Sequence, residues 1–150
     1  MISLLQAHPA YTGTVHLHNF LRWVIIIALI LSLINAFKGK NGKETLVLMI
    51  SSHVMLLLGL VQWFVGELGL KQIKSMGMGA AMKNPVIRFF SVEHALMMII
   101  AIVLITIGHR AAKTNQPKTK WFFVAALAII LLMTPWPWRE AGRGLFPGMH

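Results

Sequence analysis

The sequence predicts an all-α membrane protein, a four-helix transmembrane bundle running up-down-up-down. Three observations predict it. Hydrophobic residues make up 57% of the 150 and charged residues only 12%, with a mean hydropathy of +0.70, a balance foreign to water-soluble domains. The hydrophobic residues fall in four runs, each near the ~20 residues that a helix needs to cross a hydrocarbon core of ~30 Å. The charges lie between the runs: 14 Lys+Arg stand against 4 Asp+Glu, for a formal net charge of +10. A nucleic-acid binder would gather such cations on one amphipathic face. Here they read as topology signals and contacts with anionic lipid, and no nucleic-acid partner is expected.

The elements follow in order. MISLLQAHPAYTGTVHLH has no Lys or Arg and no long apolar core, so it does not resemble a cleaved signal peptide. The first span is read at 19–37 and the second at 45–65, joined by the tight, cationic, Gly-containing turn FKGKNGKE. The connection 66–85 is read as a longer Gly/Met-rich loop. The third span covers 86–108, and the cationic loop HRAAKTNQPKTK leads to the fourth at 121–138, which Pro135 and Pro137 break near its end. Short connections predict antiparallel neighbours within each pair, all in a single transmembrane domain, 1–150. Lys and Arg tie at seven on each side, Arg143 included. The two ends of the first span decide: Lys38, Lys40 and Lys43 follow it and only Arg22 stands near its start, which favours termini outside the cytoplasm.

The chain has no cysteine, which excludes disulfides, thiolate metal sites, cysteine nucleophiles and haem attached through C-x-x-C-H. Chemistry must come from ionisable groups at membrane depth, each costing roughly 2.5 kcal/mol or more near the centre. His53 in SSHVMLLLGLVQWF lies about 12 Å and 18 Å from the two ends of its span. His94 in RFFSVEHALMMIIAIVLITIGH lies about 12 Å inside the third span, a mismatch that helix tilts of ~20° absorb. Two imidazoles on neighbouring helices at matched depth suit the iron of one haem b. Ser91, His94, Met98, Ala101, Ile105 and Gly108 form one helical stripe, and His53 shares a face with Leu57, Leu60 and Phe64.

Arg22, Arg88 and Arg139 all fall toward the termini-facing end, where haem propionates would emerge. Glu93 is the candidate proton carrier. His18 is the alternative axial ligand, paired with His94. A non-haem reading takes His16, His18, Glu93 and His94 as ligands of one ion, which requires a non-helical segment because residues two apart on a helix point about 200° apart. A third reading leaves the polar residues as interhelical glue in a cofactor-free accessory subunit. Trp136 and Trp138 belong to the interfacial aromatic belt, and His8, His109 and His150 read as interfacial.

HLHNFLRW, SSHVMLLLGLVQWF and RFFSVEHALMMIIAIVLITIGH resemble small four-helix bacterial membrane proteins labelled "cytochrome B", over nearly the whole chain. More loosely, the pattern is similar to the cytochrome b561 class, which binds b haem through histidine pairs and exchanges electrons with quinones. The resemblance implies a redox protein of the bacterial inner membrane, with quinone, further membrane redox subunits or a second copy of the chain as partners. The fourth helix lacks the buried histidine of the two-haem pattern, so one haem per chain is expected.

Overall fold

The computed structural model describes residues 8–142, 144 and 145; Arg143 and His150 lie outside the described residues. The described residues are mostly helical, with no strand among them. Helix α1, Pro9–Phe37, starts well ahead of the predicted 19. Its first ten residues are too polar to register as a span, but Pro9 opens the helix, where its missing N–H is no loss. The N–H of Ala10 finds the Nδ1 of His8 at 3.2 Å, so His8 caps the helix.

Helix α1 stops at a Schellman turn. Gly39 takes φ +67°, the Lys40 N–H bonds the Asn35 carbonyl at 2.8 Å and the Gly39 N–H bonds that of Ala36 at 3.2 Å, which supplies partners for carbonyls the helix leaves open. Helix α2, Glu44–Val65, follows. The expected loop at 66–85 is instead largely helical: α3 is Leu70–Met76 and α4 is Met78–Lys83, parted at Gly77 with φ +83°. Asn84 then accepts the N–H groups of Val86 and Ile87, both at 3.1 Å, and Pro85 fills the first position of α5, Pro85–Arg88. A π-helical turn, Phe89–Glu93, leads into α6, His94–Lys113.

Helix α6 repeats the Schellman ending with Asn115 at φ +50°; the Gln116 N–H reaches the Ala111 carbonyl at 3.0 Å. Helix α7, Thr119–Met133, ends five residues before the predicted 138. Pro135 disfavours the α conformation at Thr134 and has no N–H to continue the ladder. Three helical stretches are long and apolar enough to cross a membrane: Pro9–Phe37, Glu44–Met76 and Pro85–Lys113. Helix α7, with 15 residues, rises only about 22 Å.

The chain divides into two compact units. The first comprises Met1–Phe20, Leu57–Leu96 and Thr134–His150. It is tied by polar contacts: Gln62 Nε2 donates to the Thr14 carbonyl at 3.1 Å, and Trp63 Nε1 to the Ser91 carbonyl at 2.9 Å. The second comprises Leu21–Leu56 and Met97–Met133 and is built on Leu29, Leu48, Ile105 and Phe123, all fully buried. Its serines stay within their own helices, Ser32 donating to the Ala28 carbonyl and Ser52 to that of Leu48, as an environment without water demands. Ile27, Ile50, Leu57, Val103 and Leu132 stand exposed, the surface that contact with a lipid bilayer requires.

Candidate functional site

The first unit gathers most of the ionisable residues picked out in the sequence, and the π turn organises them. In an α-helix, residues five apart are about 140° apart and do not meet. A turn closed by i→i+5 bonds brings them onto one side, and here the His94 N–H bonds the Phe89 carbonyl across it. The result is the Arg88–Glu93 ion pair, with Nε to Oε1 at 2.7 Å. The same guanidinium reaches back through Nη1 to the Met82 carbonyl at 3.1 Å, at the open C-terminal end of α4.

Ser91 anchors the turn from inside. Its hydroxyl donates to the Leu68 carbonyl at 2.7 Å and its own carbonyl receives the Trp63 indole N–H. Around the turn, Pro85, Phe89, Glu93, Arg139, Glu140 and Ala141 line a cleft of about 130 Å³. Arg139 lies over the Phe89 ring, its Cζ 5.5 Å from the centroid, and Nη1 approaches the Thr134 carbonyl at 3.4 Å. The half-buried His94 ring packs by Phe89 at 5.6 Å and Phe90 at 6.3 Å between centroids. His18 is half-buried beside Gly59, whose hydrogen leaves room that a Cβ would take 3.6 Å from its Nε2. Trp136 and Trp138 stack at 5.3 Å with planes 2° apart.

The first unit thus brings together Arg88 with Glu93, Arg139 with Phe89 and Glu140, and His94 with the two phenylalanines. The other predicted site residues belong to the second unit. His53 is exposed on the face it shares with Leu57, Leu60 and Phe64, all exposed as well. Its Nδ1 lies 2.8 Å from the Met49 carbonyl. A carbonyl only accepts, so Nδ1 carries the proton and the lone pair of the neutral ring is on Nε2, the arrangement that metal-binding histidines use. Arg22 is buried, its Cζ 5.3 Å from the Trp23 ring centroid.

One expectation changes. His16 and His18 both lie within α1, so the two cannot chelate one ion from an irregular segment, and among the described residues no group of three or more His, Asp or Glu is arranged to hold a metal. His109, read as interfacial, is 5% exposed, with Nδ1 3.0 Å from the Thr45 hydroxyl. The signal for it was Thr45 at the loop-facing end of one span and His109 just past the loop-facing end of another.

Comparison with protein families, curated proteins and solved structures finds no match to this chain.

Proposed function

We propose that this chain is a b-type haem protein of the bacterial inner membrane, a four-helix up-down-up-down bundle with termini outside the cytoplasm. It carries electrons between the quinone pool and a membrane or extracytoplasmic partner. The observation that carries the reading is the concentration of Arg88, Glu93, His94 and Arg139 around a π turn, a feature common at functional sites, in the compact unit that also holds His18. His94 with His18 is the axial pair whose members share that unit; His94 with His53 is the other, supported by the tautomer that leaves the Nε2 lone pair of His53 available. When bound, haem would supply a one-electron couple, and ligation by two imidazoles would favour electron transfer over oxygen chemistry.

The residues would hold it in the usual division of labour. Imidazoles would ligate, with Phe89 and Phe90 packed beside the His94 ring, and Arg88 and Arg139 would offer guanidinium groups to propionates. Glu93, paired with Arg88 and lining the cleft, is the group from which a proton would leave or to which it would return.

A second reading draws on the same contacts. Arg88 with Glu93, Trp63 with Ser91 and Ser91 with Leu68 supply partners for one another, as interhelical glue does in a cofactor-free accessory subunit. A reduced-minus-oxidised absorption spectrum of the detergent-purified chain, with haem quantified, separates the two. Sharp α and β bands at about one haem per chain, lost in His94→Ala, support the haem reading. A featureless spectrum from haem-replete cells selects the accessory subunit. Loss of the bands in His18→Ala or in His53→Ala then assigns the second ligand.

A further inference from the structure

The end of the second unit that holds both cationic loops carries a different chemistry, one that the haem reading does not use. Within that unit Val24, Ile27, Ala28 and Leu31 of α1 and Glu44 and Val47 of α2 line a groove of about 330 Å³. Ile27, Leu31 and Val47 are each about half exposed on it. The turn joining these two helices carries Lys38, Lys40 and Lys43, all exposed. Glu44 is the acid at this mouth, and its Oε1 is already engaged by Asn35 Nδ2 at 2.9 Å and the Gly42 N–H at 3.0 Å. Nearby, Lys120 is held over the Phe37 and Trp121 rings, 5.4 Å and 5.7 Å from their centroids, and Phe37 meets Trp121 edge-on at 6.5 Å.

We propose that this groove and its lysine turn bind one molecule of anionic phospholipid. The acyl chain lies along Ile27, Leu31 and Val47, and the phosphate sits at Lys38, Lys40 and Lys43. Both ends of one lipid molecule meet complementary chemistry here. The groove is apolar along helices long enough to span a bilayer, so its occupant is a hydrocarbon chain. The turn that joins its two helices and leads into Glu44 carries three exposed lysines, and the one carboxylate of the lining is engaged by Asn35 and Gly42, so the head of that occupant is an anion. Lysines at a membrane surface attract anionic lipid with an association gain of about fivefold each. The ring pair beside Lys120 sits as an interfacial anchor that keeps this end at headgroup level. The site stands or falls independently of haem.

The test reconstitutes the full chain in vesicles of equal parts phosphatidylcholine and phosphatidylglycerol, extracts it in mild detergent and counts retained lipid by native mass spectrometry. The parent chain is expected to retain phosphatidylglycerol in preference to phosphatidylcholine. Replacing all three lysines, Lys38→Gln, Lys40→Gln and Lys43→Gln, changes only exposed side chains and lowers phosphatidylglycerol retention on the order of a hundredfold. Leu31→Trp, which fills the groove, lowers it with every lysine in place. Equal retention of the two lipids by the parent overturns the proposal, as does either variant behaving like the parent. A lipid-free dimer would make the groove a contact between two copies and overturn it as well.

Discussion

Replacing Ser91 by Ala tests whether the π turn is held by its anchors. The side chain is 4% exposed, and its hydroxyl donates to the Leu68 carbonyl at 2.7 Å, with the Gly69 carbonyl at 3.4 Å. The substitution removes one neutral hydrogen bond and leaves the Leu68 carbonyl to find another donor. A net bond of this kind contributes about 1 kcal/mol, and an acceptor left without a partner raises the loss toward 3 kcal/mol. Leu68 is only half-buried, so the expected destabilisation is about 1–2 kcal/mol. Trp63→Phe removes the other anchor, the 2.9 Å bond to the Ser91 carbonyl. Both bonds end on one residue, so the double variant should lose less than the sum of the singles by about 0.5 kcal/mol or more. Denaturant unfolding in detergent, followed by far-ultraviolet circular dichroism, measures all three. An unchanged midpoint for Ser91→Ala, or strict additivity with Trp63→Phe, would refute the anchoring argument.

Two further predictions concern packing and charge. A Cβ on Gly108 would lie 2.6 Å from Phe123 Cε1, 3.0 Å from Cδ1 and 3.3 Å from the Phe122 Cβ, and Phe123 is fully buried with no room to retreat. Gly108→Ala should therefore cost about 1–3 kcal/mol by overpacking, measured in the same unfolding assay, and Phe123→Leu should restore part of it in the double variant. The Arg88–Glu93 pair is 38% and 40% exposed on its two side chains, so a double-mutant cycle through Arg88→Gln and Glu93→Gln should return a coupling of about 0.2–1 kcal/mol; zero coupling would mean that the pair does not hold the turn.

The hydropathy of the chain made its helices legible, and the boundaries diverged wherever length was set by something other than hydropathy. The first apolar run begins at Asn19, yet α1 begins at Pro9, because Pro9 and the His8 ring start a helix regardless of what fills its first turns. The segment 66–85 looked like a loop because Gly and Met interrupt it. Gly77 takes a positive φ that other residues avoid, and the backbone on either side coils into α3 and α4. At the far end Trp136 and Trp138 belonged to the hydrophobic pattern but not to the helix, since Pro135 lay between.

For the site, residue types were legible and faces were not. A periodicity of 100° per residue assumes one unbroken hydrogen-bond ladder, and the π turn places an i→i+5 closure in the middle of the most informative stretch. The Ser91–His94–Met98 stripe straddles that turn; Ser91, Ala101, Ile105 and Gly108 are buried, but His94 and Met98 only half so. Arg88 and Glu93, which even spacing would hold about 140° apart, form an ion pair. No pattern in the residues announces the turn beforehand: RFFSVEH is an ordinary helical string, and the partners that meet at Ser91, the Trp63 indole and the Leu68 carbonyl, are remote in sequence. His109 finds its partner in a related way. It lies beyond the apolar run, where α6 continues to Lys113 and carries the imidazole to the Thr45 hydroxyl. In both cases a hydrogen bond from another helix decides where a polar side chain goes, and that partner is information the local pattern does not contain.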